Sequence, residues 1–357
     1  MRLGTCPNNS QKHVPDDVRR RIPTAMVRVG RLARPHPNPL PQERERVSAA
    51  LGKVAGQSSL PNAGVASPSP WGEGRGEGER SLDTEYSWPR TVRCLAFFLL
   101  TLAGAAPLRA AEPIHALLIT GGCCHDYQAQ KKILTEGISA RANVTWDIVF
   151  EGGDVNSGGT RNHRISIYEK PDWSKGYDVV VHNECFGDVT NIDFVNHIVK
   201  AHFDGVPAVM IHCSTHSYRN AKTDEWRKLL GVSSYNHENA RLFQVNNINP
   251  DHPVMKGFPA TWQDPEADEL YRIVKLWPDC VPLAKGIGVT NTPNVCVWVN
   301  TYGKARIFGT TLGHGDKTMG SDTYLDLVTR GLLWACGKLD DNGQPMAGYG
   351  KENAATK

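Results

Sequence analysis

Six histidines follow runs rich in apolar, β-branched residues or lie in the loops between such runs. They are His125 in ITGGCCHDY, His182 in YDVVVHNE, His212 and His216 in VPAVMIHCSTHSYR, His237 in SSYNHENAR and His314 in IFGTTLGHGD. Imidazole binds metal ions, moves protons near neutral pH and hydrogen-bonds hydroxyls. In an open parallel sheet, ligands sit in the crevice beyond the carboxyl ends of the strands. Side chains far apart in sequence can therefore meet there, and the pattern predicts a polar small-molecule pocket. No HExxH or HxH spacing occurs, so a metal site would have to be assembled from different loops. His125, His212 and His314 are its candidate ligands. Glu269 in the DEL run and Asp316 in GHGD offer carboxylates, a set suited to zinc or a harder divalent ion. The same groups without a metal would make an acid–base and hydrogen-bonding pocket. Taken singly, each ring could also do no more than satisfy loop backbone.

Cys213 follows a predicted strand and precedes a turn, the place where a nucleophile elbow presents a thiol or hydroxyl. In a G-x-C-x-G frame its flanks are Ile211 and Thr215, and β-branched residues suit the tight dihedrals of an elbow poorly. His182 and Glu184, two residues apart, straddle the predicted mouth of the pocket. The Gly121–Gly122 turn lets backbone N–H groups face a ligand. It is not part of a G-x-G-x-x-G run, so no nucleotide cofactor is expected. Trp262, Tyr271 and Trp298 could stack on sugar rings, although lone aromatics are more often core.

The elements that must position these groups read clearly. HALLIT (His115–Thr120) is a short buried-strand run, and Val144–Phe150, Tyr177–His182 and Pro207–His212 read as further strands. Helical spacing covers Tyr127–Ala140, Ile192–Phe203 and Asp224–Leu230, and Gly205 and Gly231 end the last two. Alternating strands and helices imply βαβ units and a parallel sheet. Further along, Arg241–Ile248, Glu269–Val274, Val295–Asn300 and Arg306–Thr311 read as strands, the last two joined by a hairpin-length loop. Asp322–Cys336 closes the domain as a helix.

Residues 1–89 are proline-rich and without apolar periodicity (RPHPNPLPQERERV, SPSPWGEGRGEGER). They are predicted to be disordered, and to precede the natural start of translation. Arg90 and Arg93 before the apolar run Cys94–Ala106, with Ala110 and Ala111 after it, predict a secretory signal over 90–111. That run is too short to span a membrane, which takes about 20 apolar residues. The protein is therefore expected in the periplasm or outside the cell, with no stable membrane anchor. Residues 1–111 hold 16 Lys+Arg and 9 Asp+Glu, whereas the remainder holds 24 and 28. The basic balance thus belongs to the leader, and the folded part is not expected to bind nucleic acid. Seven cysteines follow the signal without a CxxC pair, which excludes a zinc ribbon or a disulfide scaffold. The predicted organisation is one α/β domain over 112–340 and a flexible tail over 341–357.

The strings LLITGGCCHDY, YDVVVHNE, VPAVMIHCSTHSYR, DHPVMKGFP and DELYRI, with the ending ARIFGTTLGHGDKTMGSDTYLDLVTRGLLWACGK, together resemble the ThuA-like (trehalose utilisation) family. Lys304, Arg306, Gly313, His314, Arg330, Gly331, Trp334 and Gly337 occupy that ending's characteristic places. The resemblance runs from Ile114 to Lys338. It implies a three-layer, flavodoxin-like, class I glutamine amidotransferase-like parallel sheet, here with an antiparallel extension, and a role in carbohydrate utilisation. Combined with the residue reading, it makes His125, Glu184, His212, Cys213 and His314 the catalytic candidates. Asp126, His182, His216, Tyr218, Glu269 and Asp316 become the substrate-contacting ones. The expected partner is a small-molecule carbohydrate, with a homo-oligomer allowed. A hydrolase- or lyase-like sugar enzyme leads. A non-catalytic carbohydrate-binding accessory protein and a cysteine hydrolase or amidotransferase-like enzyme are the alternatives.

Overall fold

Strands that are apolar on both faces can be buried on both faces only inside a layered sheet. The first, third and fourth predicted strands take that position, whereas the second lies at the sheet edge with Asp147 and Ile148 exposed. The computed structural model describes residues 111–351. The predicted disordered segment 1–89, the predicted signal apart from Ala111, and residues 352–357 lie outside the described residues. β1 (Ile114–Gly122) pairs in parallel with β2 (Val144–Phe150) on one side and β3 (Val179–Cys185) on the other. β4 (Ala208–Ile211) and β11 (Ala305–Thr310) continue the parallel set. β10 (Pro293–Tyr302), β9 (Val281–Ile287), β6 (Gln244–Asn247) and β7 (Thr261–Gln263) extend it antiparallel. The full order is β2-β1-β3-β4-β11-β10-β9-β6-β7. Its first five strands follow the flavodoxin-like order, in which strand one sits between strands two and three.

Alternation along β1 divides the core. Ala116 and Leu118 face one layer, which holds α1 (Tyr127–Ser139), the short α4 (Asp316–Met319) and α5 (Asp322–Ala335). Leu117 and Ile119 face the other, with α2 (Ile192–Asp204) and α3 (Glu225–Leu230). Asp126 accepts from the Ala129 N–H, Asn191 from Phe194 and Ser321 from Tyr324, each satisfying an orphan donor of a first turn. Among the described residues no helix is long and apolar enough to cross a membrane.

Three sequence expectations need correction. The predicted strand Arg241–Ile248 shrinks to β6. Glu269–Val274 shifts to β8 (Tyr271–Leu276), which leaves Glu269 in a loop, and β8 pairs with the unpredicted β5 (Val232–His237). Residues 341–350 of the expected flexible tail are pinned instead. The Met346 N–H donates to Lys338 O, Asn143 N–H donates to Tyr349 O, and Asn143 Nδ2 donates to Gly348 O. Trp298 is wholly buried, with Nε1 donating to Leu230 O at 2.6 Å. It is core and cannot stack on a sugar.

Gly331 on α5 lies against Phe308 of β11, where an added Cβ would stand 2.4 Å from the ring. Ala would raise helix propensity by roughly 1 kcal/mol, so the sign of the change isolates packing. Gly331→Ala should lose about 1–3 kcal/mol in urea unfolding. A gain would mean that this layer is loosely packed.

Candidate functional site

Three of the clustered groups leave the sheet at the carboxyl ends of parallel strands. After β1 the chain passes Cys123 and Cys124 to His125, just ahead of the α1 cap. After β4 comes His212, with φ +42°, and after β11 come Gly313, with φ +102°, and His314. Glu269 enters from the loop before β8. One potential ligand atom from each of His125, His212, Glu269 and His314 lies within 4.8 Å of the others. The three imidazoles meet edge to face, with centroids 4.7 Å (His125–His212), 5.0 Å (His125–His314) and 5.6 Å (His212–His314) apart.

The proton inventory of His212 is informative. Its Nδ1 lies 2.6 Å from Thr311 O. A carbonyl only accepts, so Nδ1 carries the hydrogen. Nε2 is then a bare lone pair in the neutral ring, and it faces Glu269 Oε2 at 3.5 Å. His314 Nδ1 stands 3.4 Å from the same oxygen and His237 Nε2 3.5 Å. Both His212 Nε2 and His314 Nδ1 are buried without a hydrogen-bond partner. Lone pairs facing a carboxylate repel unless a proton or a cation lies between them. Burial, followed by the neighbouring His212 and His314, holds His125 well below the usual imidazole range, which makes it a neutral donor. Burial opposes the charged forms of Glu269 and His314, but their mutual attraction outweighs it. Glu269, aided by His212, is held well below ordinary carboxylates, and His314 is raised above 6.5.

A surrounding shell fixes these groups. Asp268, fully buried, accepts from the N–H groups of Gly313 (2.8 Å), His314 (3.3 Å) and Glu269 (2.6 Å), so one carboxylate orients two of the cluster's segments. Behind it, burial and the Asp268 charge push Asp264 up to about 8. Burial raises Asp268 as well, against the pull of His212 and of the Gly313 and Glu269 N–H donors. Gln130 Nε2 donates to His314 O, and Asn183 Nδ2 donates to Gln130 Oε1, which ties β3 through α1 to the His314 loop. Tyr271 stacks on His216 at 4.2 Å and on His237 at 5.3 Å.

Residues 160–335 match the family model described as ThuA, trehalose utilisation. The chain belongs to the ThuA-like family. Among solved structures it resembles a ThuA-like protein from Parabacteroides merdae ATCC 43184, with a TM-score of 0.51 and 21% identity over 67% of this chain and 96% of that one. It also resembles one from Bacteroides uniformis ATCC 8492, with a TM-score of 0.48 and 17% identity over 64% and 94%. No curated protein matches it. At such identities the P. merdae likeness speaks for the fold alone.

Of the predicted site residues in this ThuA-like chain, the fold gathers His125, His212, Glu269 and His314. Asp126 and Asp316 stand near one another, since the Asp126 charge contributes to raising Asp316 behind the effect of burial. Asp126 is largely committed to capping α1 and to Asn156 Nδ2. The remaining candidates are corrected. His182 and Glu184 are wholly buried and bond each other (3.0 Å), Tyr168 and His202, so they cannot touch a substrate. Tyr218 is buried between Phe194 and Trp226. His216 is buried behind Tyr271 and bonds Ser234 Oγ; burial drives its pKa down to about 2. Cys213 is buried and disulfide-bonded to Cys185, which removes it as a nucleophile. The left-handed elbow position belongs to His212 instead. Sequence reasoning missed Asp268 and Gln130 as positioning groups. The D-E pair at 268–269 was the available signal for the first, and nothing in the local sequence marks the second.

Asp268→Asn keeps every candidate ligand but exchanges one acceptor oxygen for a donor facing backbone N–H groups. Zn2+ affinity measured by calorimetry should fall about 10–100-fold, as for other supporting groups around a metal, with the far-UV spectrum unchanged. An unaltered affinity would show that the Gly313–His314 turn needs no such anchor.

Proposed function

We propose that this ThuA-like protein is an exported, sugar-processing enzyme of hydrolase or lyase type. Its pocket would hold a divalent ion, zinc foremost, through His125, His212, Glu269 and His314. One observation carries the reading: two buried imidazole nitrogens without partners face a single carboxylate oxygen. A cation in that gap would take the place of protons and satisfy all three atoms at once. Three imidazoles and a carboxylate suit zinc's preference for nitrogen and oxygen donors. Such an ion supplies Lewis acidity toward a carbonyl or hydroxyl oxygen.

The chain's own groups supply the rest. His125 is kept neutral by burial, and Thr311 O fixes the His212 tautomer, so both offer lone pairs without a proton to remove. His237 is about one-third exposed and reaches Glu269 from the solvent side, a position from which it can give or take a proton. Asp126, Glu266 and Asp316 place carboxylates close to one another near the pocket, which favours a neutral, hydroxyl-rich ligand over an anionic one. The signal predicted over 90–111 and the family's link to trehalose utilisation support export and a carbohydrate substrate.

The test pairs metal content with turnover. Purified protein should bind Zn2+ one to one, and His212→Ala should weaken binding about 100-fold or more. Incubation with oligosaccharides and 3-keto sugars should give product only with the ion restored. Failure of Zn2+, Mn2+ and Co2+ alike to bind would remove the metal, and sugar binding without product would leave a recognition protein. The pH dependence has a definite sign. A ligating imidazole must be unprotonated, and His314 is raised above 6.5 by Glu269. Affinity should therefore climb as pH rises through that raised value. An affinity flat from pH 6 to 8 would exclude His314 as a ligand.

A further inference from the structure

Four sulfurs beside the pocket have no part in the chemistry above. They arrive from three adjacent strand ends: Cys123 and Cys124 after β1, Cys185 as the last residue of β3, and Cys213 two residues after β4. They form two disulfides, Cys123–Cys124 and Cys185–Cys213. The β1–β3 register sets Gly122 opposite Cys185, so Cys123 leaves the sheet beside the second bond. Cys123 also packs against the small cluster made by Tyr127, Cys185 and Cys213. The two bonds differ in access. Cys124 is exposed and holds φ +87°, a left-handed conformation costly for a residue with a Cβ. Cys185 and Cys213 are 6% and 7% exposed. Exposed or strained disulfides are the reducible ones, and exchange requires an attacking sulfur to reach the bond.

We propose that these four cysteines form a two-disulfide relay, with Cys123–Cys124 its reducible entrance and Cys185–Cys213 its buried terminus. An external dithiol attacks Cys124 Sγ, and Cys123 leaves as a thiolate. Cys123 then attacks the Cys185–Cys213 bond, forms a mixed disulfide with one of the two sulfurs and releases the other as a thiolate. The dithiol's second sulfur releases Cys124 and closes the external disulfide. Cys124 in turn displaces the sulfur bound to Cys123, so that Cys123–Cys124 re-forms. The net change is oxidation of one external dithiol and reduction of Cys185–Cys213 by two electrons and two protons. Opening that bond unties the ends of β3 and β4 next to His212, so the relay would pass the redox state of the surroundings to the pocket wall. The relay stands whether or not the pocket holds a metal.

The experiment is a time course of dithiothreitol reduction of the full chain, quenched with iodoacetamide and read by peptide mass mapping. In the wild type, alkylation of Cys185 and Cys213 should follow opening of the Cys123–Cys124 bond. In Cys124→Ser, the orphaned Cys123 should be found linked to Cys185 or Cys213 before any reductant is added. In the Cys123→Ser/Cys124→Ser double variant, Cys185–Cys213 should open at least about tenfold more slowly at the same dithiol concentration. An intact Cys185–Cys213 bond beside a freely alkylated Cys123 in the single variant would overturn the relay. So would wild-type opening of the buried pair first, or equal rates in wild type and double variant. Circular dichroism confirms folding, and the wild-type order decides the matter even where a variant does not fold.

Discussion

One carboxylate organises this pocket. Glu269 Oε2 lies within 3.5 Å of nitrogens from three imidazoles that reach it from the chain after β4, after β11 and from the end of β5. A negative charge so placed is tolerable only because the positive or electron-poor groups around it exceed its desolvation cost. The surrounding features serve that balance. Asp268 aligns the backbone on both sides of the contact, Thr311 fixes one tautomer, and Tyr271 stacks against the rings of His216 and His237.

The same accounting of protons explains a second buried network that plays no direct part in the pocket. His202 Nδ1 lies 2.7 Å from Val206 O and must donate to it. Its Nε2 can then only accept, so His182 Nε2 carries the hydrogen between the two rings, 3.1 Å apart. That leaves His182 Nδ1 and Glu184 Oε1, 3.0 Å apart, with one shared proton. Whichever atom holds it, the pair is neutral overall, and this is what allows a glutamate and two histidines to lie wholly buried. Burying a neutral, mutually bonded unit costs far less than burying a free charge. The unit fills the space between β3, α2 and α3 with groups that accept only one arrangement.

The reading of His182 and Glu184 as pocket residues failed on that point. Adjacent polar positions after an apolar run look the same in sequence whether the strand has ended or continues. Here β3 runs on through Cys185, so both side chains stay inside the layers. The elbow was misplaced by one residue for a related reason. The sharp left-handed turn falls on His212, directly after Ile211 closes β4, and the usual glycine flanks are absent from the sequence. Thr311 O holds the His212 ring there, a contact across 99 positions of chain that no local pattern announces.

The sequence alone determined the layered α/β architecture, because hydrophobic periodicity and glycine stops are local and agree with one another. It also determined the family and which strand ends carry imidazole. Only the tertiary structure decided which of those imidazoles meet. Convergence depends on the side from which each loop returns, on the residue at which each strand stops, and on a glutamate from the antiparallel half whose position no parallel-sheet rule predicts. Cysteine pairing was decided at the same level, since Cys185 and Cys213 become neighbours only when β3 and β4 lie side by side. Periodicity is a property of ten residues, whereas a pocket is a property of distances between elements, and those exist only once the layers have packed.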